Sequence, residues 1–270
     1  MTKTALMLKP LLLTAAFLTA CSSAPKPADW QLNAKGSLER GVAAYLEGNV
    51  RVEAAELARA RLEISSTGRV DLMARAELLA CASRVASLVF EPCAGFDKLS
   101  QDAAPAERAY AAYLAGTLAP QDVPLLPKDQ QVMAVADINK APEAILSIAD
   151  PLARLVAAGA ALQSGRASPA LVQAAVEAAS SQGWRRPLAA WLGVQAKLLE
   201  ASGNLPQAER VRRRIALTTP AATAAAASSA TAATTAATVP STLPAILPAI
   251  VPAMAPTLAP TPAPTTLPKP

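Results

Sequence analysis

Four prolines in the second half of this chain, Pro151, Pro169, Pro187 and Pro206, stand at steps of 18, 18 and 19 residues. Proline lacks an N–H and fixes φ, so it breaks a helix except in the first turn, where that N–H has no partner anyway. Asp150 and Ser168 directly precede the first two prolines, as N-caps do, and Asn204 stands two residues before the last. Gly165, Gly183 and Gly203 fall where the helices between them must stop, at left-handed C-cap positions. Start, stop and period agree, and together they predict consecutive helices beginning at these prolines.

The same alanine-rich pattern, with apolar residues three and four apart, runs from 30 to 217. Leu38, Val42 and Tyr45 share one face of a first helix that Gly48-Asn49 ends. Leu57, Ala60 and Ile64 mark a second, stopped near Gly68. Leu78, Cys81, Val85 and Leu88 mark a longer third, stopped by Pro92. Pro105 opens a fourth carrying Tyr110, Tyr113 and Leu114, closed by Gly116. No alternating Val- and Thr-rich run competes, so the expected class is all-α. The loop-like stretch Pro120 to Pro127 is expected to separate two halves, 30–118 and 128–217. Only 3% of residues are aromatic, which leaves the core to Leu, Val, Ile and Ala. A hairpin of such helices hides one face only when stacked on the next.

Two helices with their loops occupy about 36 residues, near the tetratricopeptide period of 34. Gly203, Ala208 and Pro220 stand at that motif's turn glycine, second-helix alanine and terminal proline, and Leu192, beside Trp191, takes its first large apolar position. Ala44-Tyr45-Leu46-Glu47-Gly48-Asn49, followed by Leu57 and Ala60, is a second partial match. These two units resemble the tetratricopeptide family, which implies an array of helical hairpins in 30–217. Ile215 departs from the alanine the motif places at the closest helix contact.

The N-terminus reads as an address. Lys3 and Lys9 form a basic region, and Leu11 to Ala20 form a short apolar run that ends in small residues before Cys21. Leu18-Thr19-Ala20-Cys21 resembles the lipobox of bacterial lipoproteins, with Thr19 a less usual residue there. The resemblance implies a signal peptide over 1–20, acylation of Cys21 by chains such as palmitate, and a lipidated tether over 21–29. Two or more chains give firm membrane attachment. Ser22 in place of aspartate implies the outer membrane of a Gram-negative envelope, facing the periplasm.

At the other end, residues 221–270 are Ala, Thr, Ser and Pro-rich, with Lys269 the one charge. Prolines recur every fourth residue from Pro240 to Pro268, which forbids a helix or a sheet ladder. The expectation for 218–270 is a disordered or polyproline-II tail: a dispensable extension, a spacer into murein, or a ligand for a proline-recognising partner.

Net charge narrows the partners. The chain carries +5, of which Lys3, Lys9, Lys26 and Lys269 lie outside the helical body, leaving it near +1. No nucleic-acid footprint follows. The dense run Arg210, Arg212, Arg213 and Arg214 spreads round a helix, as a solvated end does; contact with anionic lipid or murein is the other reading. The chain has no histidine, which excludes Ser-His-Asp and Cys-His catalysis and histidine-bearing zinc sites. No phosphate-cradling glycine motif and no metal-ligand spacing appear. No cofactor or small-molecule substrate is therefore expected. Glu91, beside Pro92 and Cys93, is the acid most suited to lone-carboxylate chemistry on murein, although a cap or surface role is the commoner fate.

With Cys21 acylated, Cys81 and Cys93 remain, an even count in an oxidising compartment, and a bridge between them is expected. Trp184, Arg185 and Arg186 form an aromatic–basic cluster that suits partner binding. Its alternative is Trp184 closing a hairpin core while the arginines face water. The functional expectation is a non-catalytic envelope adaptor, anchored by lipid and holding a protein partner; a murein hydrolase and a partnerless spacer are the competing readings.

Overall fold

A computed structural model of the chain describes residues 27–218. The lipobox-like segment with Cys21 and the proline-rich tail lie outside the described residues. Among those described there are eleven α-helices, one 3-10 helix and no strand. In order they are α1 (Asp29–Glu47), α2 (Val50–Ser65), α3 (Val70–Ala86), α4 (Ala94–Asp97) and α5 (Pro105–Leu114). A 3-10 helix (Pro120–Leu125) precedes α6 (Lys128–Val135), α7 (Ala141–Ser147), α8 (Pro151–Gln163), α9 (Pro169–Ser181), α10 (Arg185–Ala201) and α11 (Leu205–Thr218). The class is all-α.

The helix ends follow local chemistry. Pro105, Pro151 and Pro169 are each the first residue of their helix. The Asp150 carboxylate accepts from the Ala153 N–H at 2.6 Å, and the Ser168 hydroxyl accepts from the Leu171 N–H at 3.2 Å, so both cap as expected. Asn49 ends one helix and caps the next, its side-chain oxygen accepting from the Val52 N–H, so α1 and α2 join in a two-residue turn. Pro187 and Pro206 sit one or two residues inside their helices: α10 already starts at Arg185 and α11 at Leu205, still within the first turn that tolerates proline.

The third helix ends earlier than its apolar pattern suggests. It stops at Ala86, and Leu88 adopts φ +60, the one positive φ outside glycine among the described residues. The Val89 N–H returns to the Arg84 carbonyl at 2.9 Å and the Leu88 N–H to the Val85 carbonyl at 3.0 Å, the paired bonds of a Schellman stop. Glycine usually occupies that position. Leucine is held there because its side chain packs on the main core. The chain then folds back, and Cys93 bonds to Cys81 in a disulfide with the Cα atoms 5.7 Å apart. Closing a loop of this size contributes about 3 kcal/mol in the chain-entropy model.

The expected division at 120–127 does not occur. One apolar core runs from Ala74 to Val211, and Leu126, inside the supposed linker, belongs to it. Two further helices, α6 and α7, fill the stretch after that linker. α3 packs on α8, and α1 packs on α10. These contacts close the N-terminal hairpin onto the C-terminal region. An open array of hairpins, each touching its neighbours alone, lacks such contacts. Close approach of α3 and α8 depends on Gly159: a Cβ there would stand 2.4 Å from the Val85 carbonyl oxygen. Trp191, fully buried on α10, donates its indole N–H to the Ala86 carbonyl at 3.0 Å, so α3's end receives both α8 and α10.

Candidate functional site

The Trp184-Arg185-Arg186 cluster is engaged within the fold. Trp184, half-buried just before α10, packs on the main core and on Val42, Tyr45 and Leu46 of α1. Arg186 Nε donates to the Tyr45 carbonyl at 2.8 Å, and an Arg185 Nη donates to the Glu47 carbonyl at 3.0 Å. Both carbonyls belong to the last turn of α1, where the Tyr45 carbonyl also accepts from the Gly48 N–H at 2.9 Å. The two guanidiniums donate to them and add positive charge at the negative end of the helix dipole. Arg186 also stacks 4.3 Å above the Tyr45 ring, with Arg84 5.0 Å from the same ring. Arg84 in turn pairs with the buried Glu53 at 3.0 Å. Tryptophan thus closes a core, as the plainer expectation has it; Arg185 is exposed as that expectation also has it, while Arg186 is half-buried, and both arginines clasp α1 to α10.

Glu91 is exposed. Arg210, Arg212, Arg213 and Arg214 are exposed on α11, with Arg212 paired to Glu200 at 2.6 Å and to Glu209 at 3.2 Å.

The surface that the sequence does not announce lies along α3. One cleft of about 420 Å³ is lined by Trp30, Ala34 and Leu38 of α1, by Ile64, and by Leu72 and Ala76 of α3. A second, of about 440 Å³, is lined by Leu78, Tyr110, Leu125, Leu126 and Pro127. Arg75 and Leu79 line both, so the two clefts meet on one face of α3. Arg69, Leu72, Arg75, Ala76 and Leu79 recur at three- and four-residue steps, which places them on that face. The floor of the joined groove is therefore α3, with α1 on one flank and α5 on the other. At 1.5 Å per residue its floor from 69 to 79 is about 15 Å long, close to three turns.

The groove's charges are paired locally. Arg75 Nε donates to Glu107 at 2.6 Å, Arg69 pairs with Asp71 at 2.6 Å, and Lys35 with Glu39 at 3.8 Å. The Arg69 guanidinium holds the Asp71 carboxyl below its ordinary range. What the groove presents is thus apolar surface with a neutralised rim, and Leu32 and Leu125 lie half-exposed on α1 and beside the groove.

No family model, curated protein or solved structure matches this chain. Among the described residues no cluster of Cys, Asp or Glu could hold a metal ion, and no helix is long and apolar enough to cross a membrane.

Proposed function

We propose that this chain is a lipid-anchored adaptor of the Gram-negative envelope, tethered through Cys21 and seating an amphipathic helix of a protein partner in the groove along α3. The observation that carries the reading is the joined groove: one helix as floor, one on each side, apolar walls and a paired rim. A helix laid in such a groove anchors through residues at i, i+3 or i+4, and i+7, and three turns of floor suit that spacing. The absence of histidine and the lack of a phosphate-cradling motif favour binding over catalysis. Trp30 follows Cys21 by nine residues, so an acylated Cys21 holds the groove's α1 end within about 30 Å of a bilayer. A partner helix in the groove is thereby held beside the membrane, facing the periplasm.

Photo-cross-linking tests this in cells that produce the full chain. A photoreactive residue replacing Leu72, in the groove, is expected to give one reproducible protein adduct, and the same residue replacing Leu217, 85% exposed on α11, is expected to give none. Trp30→Ala, which removes a wall without touching the main core, should reduce the Leu72 adduct several-fold. Equal labelling from both positions, or an adduct indifferent to Trp30→Ala, contradicts the reading.

A further inference from the structure

At the C-terminal end of α5 lies a third cleft, of about 530 Å³, between α5, the 3-10 helix, α6 and α8. Its volume falls within the range of small-ligand sites. Leu118, Pro120, Val123, Pro124 and Val135 make its walls apolar. Two polar side chains in its lining stand out. Tyr113 is 3% exposed, and its hydroxyl is buried without a hydrogen-bond partner. Most buried hydroxyls find a partner, and leaving one without costs about 1–3 kcal/mol.

The second is Arg166, half-buried just past the end of α8. Its Nη1 donates to the Met133 carbonyl at 2.7 Å and to the Ala136 carbonyl at 2.8 Å, closing the end of α6, and its Nε donates to the Ser164 hydroxyl at 3.1 Å. Nη2 makes no hydrogen bond to a described residue, and no carboxylate among the described residues pairs with the guanidinium. Arg166 therefore brings a fixed positive charge that carbonyl dipoles hold in place and no protein anion neutralises. Burial raises the Tyr113 phenol above its ordinary pKa, and the nearby Arg166 charge opposes that shift. The phenol thus stays a proton donor at neutral pH.

We propose that this cleft binds a monocarboxylate with a short apolar body, whose oxygens accept from the Tyr113 hydroxyl and from Arg166 Nη2 while the body lies against Leu118, Pro120, Val123 and Val135. The chemistry is shared by a free short-chain acid and by the C-terminus of a peptide ending in an apolar residue. It differs from that of the α3 groove, where Glu107 already neutralises Arg75. The site does not depend on the adaptor reading.

Titration calorimetry on the full-length chain separates the sources. One arm uses hexanoate against hexanol; the other uses acetyl-Ala-Ala-Leu with a free C-terminus against its amide. The expected result is binding of one or both carboxylates and at least tenfold weaker binding of the uncharged counterparts. Hexanoate alone identifies a free acid as the source, and the peptide alone a chain terminus. Tyr113→Phe removes a hydroxyl that has no protein partner, so the ligand-free chain should melt at the same temperature or higher, while carboxylate affinity falls about tenfold or more. Failure of both carboxylates to bind overturns the proposal. So does equal binding of acid and amide, or a Tyr113→Phe chain that melts lower and binds unchanged.

Discussion

Gly159→Ala lowers stability by about 2–3 kcal/mol, although alanine is the better helix former by nearly 1 kcal/mol at an unhindered site. The sign reverses because of what the new methyl would meet. At 2.4 Å from the Val85 carbonyl oxygen and 2.9 Å from Val85 Cγ1, it cannot be accommodated by a side-chain rotation, since the first of these atoms is backbone. α8 must back away from α3, which loosens the dispersion contacts at the centre of the main core. For a domain of this size the shift corresponds to a melting temperature lower by roughly 4–12 °C. Gly193→Ala is the matched control. Gly193 is also helical, but a Cβ there meets nothing within 4 Å, so the same substitution should raise stability by about 0.5–1 kcal/mol. Circular dichroism melts of the two variants beside the parent chain decide the matter. A neutral or stabilising Gly159→Ala would mean that α3 and α8 do not approach as described.

Trp191→Ala has a still larger effect, because it removes packing and a polar partner together. The side chain is fully buried and belongs to the main core, which runs from Ala74 to Val211. Truncating a buried tryptophan costs about 3–5 kcal/mol. Leaving the Ala86 carbonyl without its 3.0 Å donor adds about 1–3 kcal/mol if no water replaces it. The sum is comparable to the whole stability of an ordinary domain. The urea midpoint by circular dichroism should therefore collapse toward zero denaturant. Trp191→Phe keeps most of the apolar volume and loses the N–H, so its midpoint should fall between the two. If phenylalanine is as damaging as alanine, the hydrogen bond dominates; if it is silent, packing does.

The two variants probe what was least legible in the sequence. Helix starts at Pro105, Pro151 and Pro169 can be read directly, since capping and the proline constraint act over three or four residues. The all-α class follows from the same local periodicity. Closure of the bundle cannot be read that way. Arg185 and Arg186 reach α1 carbonyls 138 and 141 residues away, and no local pattern encodes which carbonyls they meet. Leu88 continues the apolar period of α3, so the pattern runs through the point where the backbone turns left-handed. Tertiary packing overrides local preference there. The α3 groove was missed for a related reason. Arg69, Leu72, Ala76 and Leu79 form a helical stripe that reads as core, and only the placement of α1 and α5 to either side leaves part of it uncovered. Tyr113 likewise reads as a core aromatic; its hydroxyl becomes informative once the partners around it can be counted.

Two features of the body bear on its stability. The Cys81–Cys93 bridge ties the chain after α3 back to that helix, just beside the Schellman stop at Leu88. Arg61 and Glu77 add a bidentate pair between α2 and α3 at 2.5 and 2.9 Å. Exposed pairs of this kind contribute little, so the bridge and the buried contacts at Gly159 and Trp191 set the margin.

The proposed attachment through Cys21 would make a helical body with grooves act at a membrane. Metabolic labelling of bacteria with tritiated palmitate, followed by fractionation, measures it most directly. Label is expected on the parent chain, with recovery of that chain in the outer membrane after salt and carbonate washes, and loss of both in Cys21→Ser. An unlabelled parent chain recovered in the soluble periplasmic fraction would contradict the proposed attachment.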